Sequence, residues 1–190
     1  MARPKSVDKR NAILSAAIEV FAEQGLASPA LKIAKAAGVA EGTLFNYFAT
    51  KDDLLNQLYL DLKSELRDVM MPDYPRGETV KKRLHHVWQA YIDWGVAEPQ
   101  KRKVMTLLGL SGQVTEQSKL RGMQDFAEVN ALIRESMVSE MFRAEPPAFV
   151  AAILGAMADT TVDFIIREPA QKEQYSEAGF EALWNAIARK

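Results

Sequence analysis

Between Leu31 and Phe48 the chain gathers side chains able to read a polar polymer. Thr43 and Tyr47 supply hydroxyls, Asn46 a carboxamide, Phe45 an apolar ring and Gly42 a point where backbone can approach a partner closely. Hydroxyls suit phosphate oxygens, a carboxamide matches a base edge, and an apolar ring presses on sugars or a thymine methyl. Glu41 opposes phosphate, but it accepts from cytosine or favours a helix N-terminus. The spacing reads as two short helices, with Ile33, Ala34 and Ala37 facing Val39, Leu44 and Phe48 across a turn that Gly38 permits. Such a helix-turn-helix places its second helix in the DNA major groove. A plain helical hairpin that only completes a core fits the same pattern, and the residues alone leave both readings open.

Other chemistry is poorly provided for. With no cysteine there is neither a thiol nucleophile nor a Cys-based zinc site. The only histidines, His85 and His86, are adjacent, so on a helix they diverge by about 100° and cannot share a metal. Ser111 and the Thr160-Thr161 pair have no His or Lys base in reach by sequence. No catalytic residue, metal or cofactor is expected, and a small helical enzyme is disfavoured.

The chain has 190 residues with 24 Lys+Arg against 25 Asp+Glu. That balance conceals an asymmetry, because the chain through Lys51 carries +3 and the remainder −4. A basic head suits an anionic partner at one end. Lys51 is placed to meet a phosphate, and Arg3 and Lys5 on an N-terminal arm to reach the adjacent groove. Hydrophobic residues make up 48%, enough for a real core. No uninterrupted apolar run reaches a membrane span, since Asp159 and Asp163 break the Phe149–Ile166 stretch, so a soluble, cytoplasmic chain with no membrane partner is expected.

The elements that must position these residues are helical throughout, giving an all-α fold of about nine helices. The first carries the stripe Ile13, Ala17, Val20 and Phe21 and stops at Gly25. Ser28 is expected to cap the second, with Pro29 at its first position. The third runs from about Glu41 to Phe48, and longer helices follow over about 51–71, 78–97 and 99–110. A single long helix is expected from beyond Gly112 to about Phe142, then one from Pro146-Pro147 to Pro169 and a last from about Lys172 to Arg189. Residues 1–50 form the DNA-binding domain in this reading, and 51–190 a helical ligand-binding and dimerisation domain.

A resemblance decides between the readings of the head. Phe21-Ala22-Glu23-Gln24-Gly25, Ile33 to Val39, Gly42 to Phe48 and Lys51-Asp52-Asp53-Leu54-Leu55 together resemble the DNA-binding domain of the TetR family of bacterial transcriptional regulators. The family has a Thr or Ser near Pro29 and a tyrosine where this chain has Phe45, so a phosphate hydroxyl is lost at each place. The resemblance implies a homodimeric repressor on palindromic DNA, released when a small inducer binds the C-terminal domain. It makes Arg3, Lys5, Ser28, Glu41, Gly42, Thr43, Phe45, Asn46, Tyr47 and Lys51 the candidate DNA-binding residues. Tyr91 to Gly95, Asp159 to Phe164 and Phe180 to Trp184 are similar to the RamR-type multidrug-responsive repressors, which implies an aromatic or cationic inducer.

For the inducer, Trp88 and Tyr91 offer a stacking wall one helical turn apart, while Trp94, nearly opposite Trp88 on the helix, is separately either core or pocket. Aromatic core explains them equally well. Asp159 and Asp163, a turn apart in an apolar helix, fit a counter-charge for a cationic ligand, an ion pair with a neighbouring helix, or partial exposure at a dimer edge. Met105, Met137, Thr160 and Phe164 are further pocket candidates. The small face Ala152, Gly155 and Ala156, with the stripe Phe180, Leu183, Trp184 and Ile187, suits a four-helix dimer interface, though either face also packs within one subunit. A DNA-binding dimer whose pocket is filled by its own side chains remains the rival.

Overall fold

The structure is a computed structural model that describes residues 7–138 and 147–188. Those residues form ten α-helices and one 3-10 turn, with no strand among them. The helices are α1 Val7–Gln24, α2 Ala30–Ala36, α3 Glu41–Tyr47, α4 Lys51–Met70, α5 Val80–Ala97, α6 Pro99–Leu110, α7 Glu116–Gln124, α8 Ala127–Val138, α9 Pro147–Arg167 and α10 Lys172–Ile187. The 3-10 turn, Pro169–Gln171, leads into α10. Packing groups the described residues into two compact units: 7–64 with Pro99–Gly122, and Glu65–Glu98 with 123–138 and 147–188.

In the first unit α1 packs on α2 and α6, and α2 on α3. Ile13, Ala17 and Phe21 are fully buried on α1, as the periodicity of its apolar residues requires. Gly25 ends that helix with φ +80, a left-handed conformation that side chains resist. Gly122 on α7 lies so close to α4 that a Cβ there would meet the Tyr59 ring at 2.9 Å. Burial pushes the Tyr59 phenol up and the neighbouring Lys63 ammonium down from their ordinary pKa values.

The second unit is built on α5, α9 and α10. Four residues one turn apart on α5 meet α10 in descending order, which sets an antiparallel register. Lys81 pairs with Glu181 at 2.6 Å, His85 with Glu177 at 2.9 Å, Gln89 accepts from the Ser176 hydroxyl at 2.9 Å, and Asp93 pairs with Lys172 at 2.6 Å. Exposed pairs of this kind contribute little each, about 0–1 kcal/mol. Beneath them the burial is larger: Trp88 is 0% exposed, and its indole N–H donates to the Ser176 carbonyl at 3.0 Å.

Two sequence expectations fail here. Ser28 does not cap α2; Pro29 occupies the cap position without a side-chain bond, and α2 begins at Ala30. The long helix expected beyond Gly112 is two helices, broken at Asp125-Phe126, and its expected end lies outside the described residues. The break is stabilised by polar bonds that a helix-period count ignores. The freed Met123 carbonyl accepts from the Phe126 amide at 3.1 Å and from the Asn130 carboxamide at 3.0 Å, while Asp125 pairs with Arg67 at 3.4 Å. The count therefore rises from nine helices to ten.

One described helix, over Phe149–Arg167, is long and apolar enough to cross a membrane by length and composition, with Asp159 and Asp163 interrupting it. Its mean hydropathy is 1.8, yet only 28% of that window is buried within the subunit. Much of an apolar helix thus remains to be covered.

Close approach of α5, α9 and α10 depends on Gly179, where a Cβ would meet the Thr161 hydroxyl oxygen at 2.5 Å and Trp88 Cζ2 at 2.7 Å. Gly179→Ala would gain up to about 1 kcal/mol of helix propensity but overpack a rigid aromatic at a cost of roughly 1–3 kcal/mol. Net destabilisation is expected in urea unfolding, and an unchanged or raised midpoint would show that Trp88 yields.

Candidate nucleic-acid interface

The turn between α2 and α3 is a hydrogen-bonded C-cap. Gly38 adopts φ +65, its amide donates to the Lys35 carbonyl at 3.2 Å, and the Val39 amide donates to the Ala34 carbonyl at 2.9 Å. This paired arrangement satisfies carbonyls that the end of α2 would otherwise leave open. Buried Ile33 and Ala34 hold α2 to the core, and α3 follows after the two residues Val39 and Ala40.

The seven residues of α3 divide into two faces. Leu44 is 0% exposed and Phe48, just past the helix, is 4% exposed, so one side is anchored inward. Glu41, Gly42, Phe45 and Asn46 are exposed on the opposite side, with Thr43 and Tyr47 half-buried at its flanks. Positions 41, 42, 45 and 46 lie one turn apart in two pairs, so they form one continuous surface. The structure thus brings together the outward residues that the sequence selected. Next to them Thr50 lies just before α4, and its hydroxyl oxygen accepts from the Asp53 amide at 3.0 Å. The Lys51 ammonium lies 6.0 Å from the Phe21 ring centroid, a cation–π distance, and the residue is half-exposed.

Other expected contacts are placed differently. Ser28 is only 6% exposed, leaving its hydroxyl little surface for a phosphate. Arg3 and Lys5 lie outside the described residues. One feature of the head escaped the sequence reading altogether. A cleft of about 470 Å³ runs beside α3, lined among others by Arg10, Asn46, Tyr47, Asp53 and Gln57. On α4 its lining residues Asp53 and Gln57 are spaced i and i+4.

The ligand candidates are only partly assembled. Tyr91 donates its hydroxyl to Asp159 at 2.6 Å, and its ring centroid lies 6.0 Å from that of Trp94. Trp94 is 4% exposed and donates its indole N–H to Glu65 at 3.1 Å. Trp88 is not an open stacking wall: it is wholly buried against Phe180 and α10. Thr160, Asp163 and Phe164 are exposed on α9, where Thr160 donates back to the Ala156 carbonyl and Phe164 meets Tyr175 edge-on. Met137 is half-exposed on α8, and Met105 belongs to the other compact unit.

The expected interface stripe on α10 also turns inward. Phe180, Leu183 and Ile187 are buried within the chain itself, with Trp184 half-buried and stacked on Phe180. Ala152 and Ala156 on α9 are exposed and Gly155 is half-exposed. Among the described residues there is no group of three or more His, Cys, Asp or Glu able to hold a metal ion.

Residues 13–58 match the family model described as bacterial regulatory proteins, tetR family. The fatty acid metabolism regulator protein of Bacillus subtilis (strain 168) is 40% identical over 83 residues, covering 43% of this chain and 41% of that protein. An HTH-type regulator, HbdR, from Aromatoleum sp. (strain CIB) is 40% identical over 92 residues, covering 45% and 38%. The chain therefore matches only about four-tenths of the length of these curated relatives. Over nearly the whole chain, the structure of a putative tetR family regulator from Shewanella sp. PV-4 is similar, with 27% identity, a TM-score of 0.85 and coverage of 96% of this chain and 99% of that one. These likenesses give the chain a TetR fold, and its residues 13–58 resemble that family's helix-turn-helix region.

Gly38→Ala isolates backbone strain, because nothing lies within 4 Å of a Cβ there. It is expected to cost about 1–2 kcal/mol of stability, the penalty for a left-handed residue with a side chain. An unchanged denaturation midpoint would show that the turn relaxes to another conformation.

Proposed function

We propose that this chain, which carries the TetR fold and that family's helix-turn-helix head, is a homodimeric transcriptional repressor released from palindromic DNA by a small molecule. The observation that carries the reading is the two-faced α3, anchored by Leu44 and Phe48 while Glu41, Gly42, Phe45 and Asn46 face outward. In this reading Asn46 bonds a base edge, Thr43 and Tyr47 bond phosphates, and Lys51 adds a charge at the groove edge. Residues 1–50 bind DNA and 51–190 sense and dimerise. The inducer stabilises a subunit arrangement in which the two α3 helices no longer match successive major grooves, with the continuous α4 as lever. A preference of about 1–3 kcal/mol for that arrangement suffices.

Dimerisation through α9 and α10 is supported by the exposed small residues Ala152 and Ala156 and by an apolar α9 that its own subunit covers only in part. Ala156→Glu is expected to shift the protein toward monomer in sedimentation equilibrium, with little change in helicity. A dimer unaffected by it would place the interface elsewhere.

Two inducer classes are in view. The Tyr91–Asp159 pair offers a carboxylate beside two aromatic rings, which suits a cationic aromatic compound. A structural neighbour, FadR from Bacillus subtilis, was solved in complex with stearoyl-CoA at 23% identity, a TM-score of 0.69 and coverage of 94% of this chain. Together with the fatty acid metabolism regulator, it supports an acyl-CoA. Fluorescence anisotropy on DNA from the gene's own upstream region, with each class titrated in turn, tests the reading. Release by either names the class, and specific binding that neither moves favours the regulator without a ligand.

Asn46→Ala is expected to weaken specific binding by about 1–3 kcal/mol and relax sequence preference at one position. Equal preference across operator variants would remove Asn46 from base reading. Lys51→Ala should weaken all sequences alike and reduce the salt slope by about one. A slope that stays put would assign the ammonium to Phe21 alone.

A further inference from the structure

A seven-residue helix does not hold its own angle. Isolated helices of that length are unstable in water, so α3 depends on its neighbours. Yet Leu44 is the only buried residue within it, and a cleft of about 470 Å³ runs beside it where packing would otherwise help. Phe48 supplies the second anchor just past its C-terminal end.

Arg10 of α1 reaches into this gap. Its guanidinium carbon is 5.9 Å from the Phe48 ring centroid, and its Nη2 donates to Asp61 Oδ2 at 2.9 Å. The other oxygen of that carboxylate accepts from the Gln57 carboxamide at 2.8 Å. Both carboxylate oxygens are thus held, and Asp61 cannot swing without breaking a bond on α4 or to α1. A planar guanidinium can press on a ring and donate to a carboxylate at once, which an ammonium does less well.

We infer that Arg10 is a positioning residue for the DNA-reading helix: braced on Asp61 and set against Phe48, it fixes the angle at which α3 presents Phe45 and Asn46. This rests on the DNA-reading function proposed above. The alternative role for a half-exposed arginine in a DNA-binding head is a direct phosphate contact, and the two differ in what they do to salt dependence. A brace changes how bases are met and leaves the number of neutralised phosphates alone.

The test uses the full chain with Arg10→Gln, Arg10→Lys, Asp61→Asn and the Arg10→Gln/Asp61→Asn double variant. Binding is measured against a duplex enriched from a random-sequence pool and a scrambled duplex, at several salt concentrations. Hydrogen exchange of the α3 amides is measured on the DNA-free protein. Arg10→Gln and Asp61→Asn should each reduce preference for the selected duplex by about tenfold, the scale of one impaired base contact. The double variant should be no worse than the worse single one, as coupled partners require. The salt slope should be unchanged, α3 amides should exchange faster than in the parent, and Arg10→Lys should fall between. If Arg10→Gln does not fold, Asp61→Asn carries the same reading, since it keeps the side-chain shape.

A salt slope lower by about one in Arg10→Gln, with equal loss on both duplexes and no effect of Asp61→Asn, would make Arg10 a phosphate ligand and overturn the inference. Unchanged preference and unchanged exchange would overturn it as well. If the parent itself shows no preference for the enriched duplex, the DNA-reading function fails, while the exchange data still report whether Arg10 braces α3.

Discussion

Everything proposed for the head depends on holding a helix too short to be stable alone. Seven residues give α3 two turns, and its sole internal anchor is Leu44. The surrounding structure compensates at both ends. Before it, the Gly38 cap terminates α2 with bonds from Gly38 and Val39, so only four residues separate α2 from α3. After it, Phe48 is buried, and Thr50, just before α4, accepts from the Asp53 amide through its side chain. Such a design leaves the outward face free of structural duty. Glu41, Gly42, Phe45 and Asn46 can therefore be chosen for what they contact rather than for what they pack against.

The second unit solves a different problem, the close approach of three longer helices. Gly179 removes the Cβ that would strike Trp88 and Thr161, and the buried indole finds its hydrogen-bond partner in the Ser176 carbonyl. Around that buried centre, polar pairs spaced one turn apart on α5 set the register against α10. The outer side of α9 is left apolar and largely uncovered. Aromatic content alone could not separate these roles. Trp88 became core because its partners converge on it, while Tyr91, one turn away, reaches Asp159.

Legibility of the sequence was uneven for definable reasons. Helix periodicity found the helices of the head to within a residue or two, because their apolar stripes are regular and glycine marks the ends of α1 and α2. It missed the α7–α8 break because Phe126, Val129, Leu132 and Ile133 keep a helical spacing through the region, while the bonds that stabilise the break come from Asn130, Asp125 and Arg67. The cap at Ser28 was misread because Pro29 fits either the first helical position or the position before it, and the backbone took the latter.

What the sequence determined by itself is the helical class, the turn at Gly38 and the outward face of α3, since each follows from residue types within one or two turns. Only tertiary structure decided which apolar faces are inside. The α10 stripe of Phe180, Leu183 and Ile187 has the same pattern whether it meets its own subunit or a second copy, and here it packs within its own. The same holds for Arg10 and Asp61, 51 residues apart in sequence, whose pairing no local pattern specifies. Burial and long-range pairing depend on which surfaces meet, and short-range periodicity contains no information about that.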